Sequence, residues 1–456
     1  MPNGRGPAPG RGPRRRSRLP RGLRLGGRVL SGSLALIVLA AAGTGYYMDR
    51  TLLRTLTTSN ALSGLGGKAE ADQNILLMGL DSRKDMNGND LPAAILDKLH
   101  AGASSDIGGY NTNTLILLHV PANGSRATAL SIPRDDYVDL PEGLGEHKIK
   151  EAYGRAKALA EQAAQSAGTA DAAALEHLGR EAGRRAAIEA VQDLLGVQVD
   201  HFAEINLAGF YDLADALGGV TVCLREPAHD DYSGADFPAG VQTLDGAQAL
   251  AFVRQRHQLP GGDLDRTHRQ QAFLASAAAK LNSAGVFADL GRLGALLGVA
   301  HRDVVVDSGF DPLSFIRQAG ALTSGDVSFY TLPIEGFATE DGESVNLIDP
   351  AQVRAVAREL LAGKSADGTP DGGTGPQIPQ VSAEASAARA AGGGHASEPG
   401  RAAATAPPGA SRPAPAQGRP ATATAPAARP AASAAPTASS APPVNLDPPP
   451  GVPCVN

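Results

Sequence analysis

The 456-residue chain has a formal net charge of −6, 42% hydrophobic residues, 55 glycines and 33 prolines. That length admits two or three average domains, but so much glycine and proline points to one packed core between unpacked segments. Cys223 and Cys454 are the two cysteines, which excludes a disulfide-dense scaffold and a cysteine zinc cluster, and nothing in the sequence calls for a reactive thiol.

Residues 1–28 hold Arg5, Arg11, Arg14, Arg15, Arg16, Arg18, Arg21, Arg24 and Arg28 without one acid, so the remainder is distinctly acidic. Residues 29–48, VLSGSLALIVLAAAGTGYYM, are uncharged and about 20 long, the length of a helix that crosses a bilayer core. The arginines precede this run, so the positive-inside bias places residues 1–28 in the cytoplasm and everything beyond Met48 outside. Tyr46 and Tyr47 suit the outer interface. A cleaved signal peptide, for which Ala40, Ala41 and Ala42 offer small residues, is the competing reading. The apolar run exceeds the ~7–15 residues of a signal h-region, and the uncleaved anchor is preferred. Membrane topology accounts for the arginine tail, so nucleic acid is not an expected partner.

Residues 49–71 read as a stalk. Over 72–362, short apolar runs bounded by Gly, Pro and polar residues alternate with Ala/Leu-rich stretches, which predicts an α/β domain with a sheet flanked by helices. Strands are expected at 74–80, 114–120, 127–132, 219–224, 249–254 and 327–332. Helices are expected over 153–195, with a glycine-containing break, and at 207–217, 266–282 and 350–361. The Ala/Pro-rich tail, 363–456, has almost no large apolar side chains and is expected to be disordered. Its last residues, GVPCVN, stand apart. Cys454 either pairs with Cys223 outside the cytoplasm or is an unrelated thiol, and the sequence leaves both open.

Charged groups collect at the ends of the expected strands, where open α/β sheets place their sites. They are Asp81 and Arg83, then Arg134 with Asp135 and Asp136, then Arg254 and Arg256. In GDLDRTHRQQ, Asp265 is expected to cap a helix whose first turns carry Arg266, Arg269, Gln270 and Phe273 along one face. Backbone amides at such a helix start favour an anion. Any one of these side chains reads most simply as a surface ion pair or a turn cap. Arginines converging at such short spacings read instead as an anion clamp, and arginine suits bidentate contact with phosphate oxygens. A pyrophosphate ligand follows, with Mg²⁺ bridging its oxygens and Asp81 as first choice for its carboxylate ligand. Histidines show no metal-ligand spacing, and there is no Walker A, nucleophile-elbow or dinucleotide fingerprint.

The order NILLMGLDSR, YNTNTLILLHV, SIPRDDYVDLP, HKIKEAY, DALGGVTV, FPAGVQTLDGAQALAFVRQRH and GDLDRTHRQQ resembles the LytR-CpsA-Psr domain of actinobacterial type from end to end. The resemblance implies an α/β/α domain with a central mixed sheet. It also implies a transferase that moves a wall glycopolymer, such as a teichoic acid, from a polyprenyl-pyrophosphate carrier to peptidoglycan muramic acid. By that likeness Asp81 is a catalytic metal ligand, Arg134, Arg254, Arg256 and Arg266 act on the phosphates, and Asp263, Arg269 and Gln270 bind substrate; Arg83, from its place after the first expected strand, is expected to join them in binding it. One departure matters. Where the family usually has Arg-Ser-Asp-Thr, this chain has Asn111, Thr112, Asn113 and Thr114, so Asn113 offers Mg²⁺ or Mn²⁺ a carbonyl without charge. The same site used for hydrolysis makes a polyprenyl-pyrophosphate phosphatase, and a non-enzymatic wall-binding or regulatory anchor is the remaining alternative.

Overall fold

The computed structural model describes residues 56–65, 72–86, 88–102, 109–283, 290–311, 327–363 and 447–456. The expected basic segment and membrane helix, and most of the Ala/Pro-rich tail, lie outside the described residues. Among the described residues, no helix is long and apolar enough to cross a membrane.

In chain order the strands are β1 (Thr57–Ser59), β2 (Gln73–Asp81), β3 (Asn111–Val120), β4 (Ala127–Ser131), β5 (Tyr137–Leu140), β6 (Gly145–Lys148), β7 (His201–Asn206) and β8 (Val220–Leu224). There follow β9 (Ala228–Asp230), β10 (Ala235–Phe237), β11 (Gly240–Leu244), β12 (Val304–Asp307), β13 (Val327–Thr331), β14 (Gly336–Glu340), β15 (Glu343–Leu347) and β16 (Cys454–Val455). The α-helices are α1 (Ala93–Lys98), α2 (Ala152–Ser166), α3 (Ala172–Leu195), α4 (Leu207–Ala216), α5 (Gly246–Arg254), α6 (Asp263–Ser283), α7 (Leu290–Asp303) and α8 (Pro350–Leu361).

A mixed sheet of order β1-β12-β7-β2-β3-β4-β13 forms the centre. Side chains alternate across it with the two-residue period of a strand. Leu76, Met78, Leu115, Leu117 and Leu130 face α2, α3 and α8, while Ile75, Ile116, Leu118, Ala127 and Phe329 face Leu274 of α6. Helices therefore cover both faces, the expected layered α/β architecture. The break in the long helical stretch falls at Gly168, whose φ of 98° excludes continuation of α2.

Three expectations need correction. Residues 249–254 are helical, because Asp245 and Gln248 form a capping box that closes the first turn of α5. An apolar run that short cannot be assigned by periodicity alone. Part of the expected stalk joins the sheet, as β1 pairs with β12 in parallel. The end of the expected disordered tail is structured, with β16 laid parallel to β8 and Cys454 opposite Cys223.

Cys223 and Cys454 are disulfide-bonded, with Cα atoms 4.4 Å apart and a sequence separation of 231. Constraining so long a loop restricts the unfolded chain, so Cys454→Ser is expected to cost about 2–5 kcal/mol of unfolding free energy. Urea denaturation with and without reductant measures this, and an unchanged midpoint in both would refute it.

His201 of β7 lies 3.0 Å from Asp307 Oδ2 of β12 through its Nδ1. That hydrogen bond, outweighing burial, raises the imidazole above its ordinary value. Its folded value exceeds its unfolded one, so the stabilisation is complete below the unfolded pKa of ~6.5 and is lost as pH rises through the higher folded value. Wild-type denaturation midpoints should therefore fall relative to those of His201→Gln as pH is raised past neutrality. A pH-independent difference between the two would count against this pair.

Candidate functional site

Asp81 ends β2, Asn113 lies near the start of β3, and Arg134 follows β4, so three adjacent strands deliver them to one edge of the sheet. A register shift between Gly79 and Leu80 re-aims the end of β2. Gly79 is required there, since a Cβ would meet Thr114 Cβ at 2.9 Å. Asn113 Nδ2 donates to Asp81 Oδ2 at 2.8 Å and Arg134 donates to Asn113 Oδ1 at 2.7 Å. Arg83 donates to Asp81 Oδ1 at 3.2 Å.

From the opposite side, the first turn of α6 brings Asp263 and Arg266. Arg134 reaches Asp263 Oδ1 through Nε at 3.1 Å, and Arg266 pairs with the same carboxylate at 2.9 Å. Arg134 and Arg266 are both over nine-tenths buried, and Arg266 Nε has no hydrogen-bond partner among the described residues. Burial pushes Arg266 down to about 10, against the pull of Asp263, so it stays charged at neutral pH. Lys150 Nζ donates to Asp135 at 2.7 Å. Burial disfavours the Asp135 carboxylate, but Arg134 and Lys150 outweigh it and hold the group below its ordinary value. Burial also lowers Arg254, which lies in the field of Asp81 and Arg83, and Arg256 contributes to the field at Arg266. Cations thus outnumber the carboxylates Asp81, Asp135 and Asp263, and an anion rich in oxygens would complete the cluster.

Two residues of the expected set do other work. Arg269 donates to the Asn456 carbonyl and to Gln255 Oε1, and its guanidinium sits 5.1 Å from the Phe252 ring centroid. It joins the chain end to α5 and does not meet Arg134. Gln270 Nε2 donates to the Val253 carbonyl at 3.4 Å. Its neighbour Gln271, unremarked in the sequence, is buried and donates to Ser131 Oγ and Thr331 Oγ1, both at 2.9 Å, fastening α6 to β4 and β13. Asp265 is not the N-cap, because α6 begins at Asp263 and Asp265 accepts from the Gly261 amide of the preceding loop. Lys150 was also missed as a site residue; HKIKEAY was its only signal, and its backbone amide bonds the Arg134 carbonyl at 3.2 Å. Asp136 turns away, fully buried against Asn346, and burial raises its carboxyl well above the ordinary range.

A divalent cation beside Asp81 would meet that one carboxylate, since Asp263 and Asp135 are engaged by Arg134, Arg266 and Lys150. Arg134 can only donate, so Asn113 turns its oxygen to Arg134 and its nitrogen to Asp81. Asn113 as oriented therefore gives a cation beside Asp81 no oxygen. Asp81 alone suits Mg²⁺, which typically takes one or two carboxylates and completes its shell with substrate phosphates and water. Among the described residues, no three His, Cys, Asp or Glu side chains gather as a metal site.

Residues 37–361 match the model of the LytR_cpsA_psr family. The chain is 40% identical over 351 residues to the cell wall biosynthesis protein LcpA of Corynebacterium glutamicum, a match covering 75% of this chain and 67% of that one. It is 30% identical over 273 residues to the polyisoprenyl-teichoic acid–peptidoglycan teichoic acid transferase TagU of Oceanobacillus iheyensis, covering 60% of this chain and 68% of that one. Among solved structures, the LytR-Csp2A-Psr enzyme from Actinomyces oris superimposes with a TM-score of 0.45 at 17% identity, covering 69% of this chain and 98% of that one.

Proposed function

The chain belongs to the LytR-CpsA-Psr family, and from that premise we propose that it is a phosphotransferase acting on wall glycopolymers. Its donor is a polyprenyl-pyrophosphate-linked glycopolymer and its acceptor the muramic acid of peptidoglycan. The observation that carries this reading is the Arg134–Asp263–Arg266 bridge, whose two arginines are buried, with Arg266 Nε left without a partner among the described residues. A buried donor in that condition costs about 1–3 kcal/mol, and a phosphate oxygen would relieve it.

In the proposed reaction an acceptor hydroxyl oxygen forms a bond to the sugar-linked phosphorus. The bond from that phosphorus to the bridging oxygen breaks, and polyprenyl phosphate leaves with the electron pair. Arg134, Arg254, Arg256 and Arg266 match the charge that builds on the phosphoryl oxygens and on the leaving group. Asp263 holds Arg134 and Arg266 side by side, and Asp81 holds Arg83. Mg²⁺ or Mn²⁺, held by Asp81 and the pyrophosphate oxygens, would add further neutralising charge. A loose transition state asks little of a base, so the hydroxyl proton passes to solvent or to whichever carboxylate is nearest.

Residues 29–48 would anchor the chain, with 1–28 in the cytoplasm and the 72–362 domain outside. The Cys223–Cys454 bond supports that placement, because disulfides persist in oxidising compartments. The test incubates the protein with a polyprenyl-pyrophosphate-linked sugar, with and without Mg²⁺ and peptidoglycan fragments, and follows products by mass spectrometry. Sugar-phosphate joined to peptidoglycan supports the transferase. Lipid phosphate released without transfer would make the protein a phosphatase, and intact substrate throughout would make it a non-enzymatic anchor.

A further inference from the structure

A transferase must hold two substrates, and the arginine cluster accounts for one. Beside it, α1 and the turn between β9 and β10 flank an open cleft of about 420 Å³ lined by Leu96, Asp97, His100, Gly102, Asp231 and Tyr232. Its volume falls within the ~300–1,000 Å³ of small-ligand sites. The wall is unlike the arginine cluster in carrying two carboxylates and no guanidinium. It disfavours a pyrophosphate and suits a ligand rich in hydroxyl and amide groups.

Tyr232 is 74% exposed, unusual for a large aromatic side chain, and its position is supported from one side. Its backbone amide donates to buried Asp230 at 3.0 Å, and the His257 ring packs edge-on against it at 4.3 Å between centroids. Such a platform presents a π face to the C–H face of a sugar ring, while Asp97 and Asp231 can accept from its hydroxyls. The cleft is tied to the phosphate arginines on both sides. Arg256 Nε donates to His257 Nε2 at 3.2 Å, and Arg254 donates to the Leu99 and His100 carbonyls at 2.7 and 3.4 Å. Asp230 accepts from the Arg256 backbone amide at 3.4 Å as well.

We infer that this cleft is the saccharide subsite for the acceptor glycan, with Tyr232 as its stacking platform and Asp97 and Asp231 as hydroxyl acceptors. The assignment rests on the phosphotransferase reading for the word acceptor, and its geometry places a sugar next to the arginines that hold phosphorus.

The test measures binding of a soluble muramic-acid-containing disaccharide, its lactyl carboxyl blocked as an amide so that it carries no anion, to the full chain in detergent by calorimetry. Tyr232→Ala should weaken binding by about tenfold or more, and Tyr232→Phe should restore it. Exposure of Tyr232 means that neither change disturbs the core. Saturating the protein with a polyprenyl-pyrophosphate-linked sugar should leave disaccharide affinity unchanged or raise it. Unaltered binding by Tyr232→Ala would overturn the subsite, and displacement of the disaccharide by the lipid-linked sugar would reassign the cleft to the donor. The phosphotransferase reading is judged separately, by product formation in the wild type, so the two can fail independently.

Discussion

Replacing Arg134 with alanine is expected to lower polyprenyl-phosphate release by about 10²–10³-fold, the usual cost of removing one preorganised donor from a developing anion. Arg134 is the hub of the cluster. Its guanidinium spans Asn113 and Asp263, and Asp135 lies 3.4 Å from its Nε. Its loss removes charge from the phosphates and also leaves Asp263 with Arg266 alone. Arg134→Lys should recover little, because a single ammonium cannot reach Asn113 and Asp263 together. Rates on the lipid-linked substrate, with unchanged far-ultraviolet circular dichroism as the folding control, settle the point. Activity of Arg134→Ala within a few-fold of wild type would remove this residue from the machinery.

The largest expected loss of stability is at Glu204. It is 0% exposed in the centre of the sheet, and Arg184 of α3 grips it with Nε at 2.9 Å and Nη2 at 3.1 Å, while Arg180 stands 3.9 Å away. Glu204→Ala removes the fully buried partner of Arg184 and leaves it only the partly exposed Glu181, 3.0 Å away, which puts the cost at the lower end for a broken buried pair, about 3 kcal/mol. Thermal unfolding of the domain should shift down by about 10 °C. Removing both charges is a different matter, since apolar replacements of similar volume for a buried pair are often neutral. The double variant Arg184→Met with Glu204→Leu should recover most of the loss. A Glu204→Ala midpoint within a degree or two of wild type would show that the pair carries no such weight.

Glu204 also explains why β7 was not expected. HFAEIN alternates inward and outward, but an inward glutamate and a histidine at its start break the apolar signature of a buried strand. The charge is tolerable only because α3 supplies Arg184, a partner in another element. The opposite error at 249–254 has a local cause: Ala, Leu, Phe and Val fit a strand or a helix equally, and the cap at Asp245 decides for helix.

Sequence alone determined the features that depend on neighbours in the chain. Continuous apolar runs made β2, β3 and β4, and helical spacing made α3, α4 and α8. The charged residues that follow those strands had to lie at one edge, which is why Asp81 and Arg134 were legible. The tertiary structure alone decided which cations join them. Arg266 and Arg269 are separated by less than one turn of α6, yet one turns to Asp263 and Arg134 while the other is taken by Gln255 and the carbonyl of Asn456. The pairing of Cys223 with Cys454 and the orientation of the Asn113 amide were settled in the same way. In each case the deciding partner is distant along the chain. Hydrogen bonds and ion pairs act only over a few ångströms, so no local window of sequence contains both members before the sheet and helices bring them together.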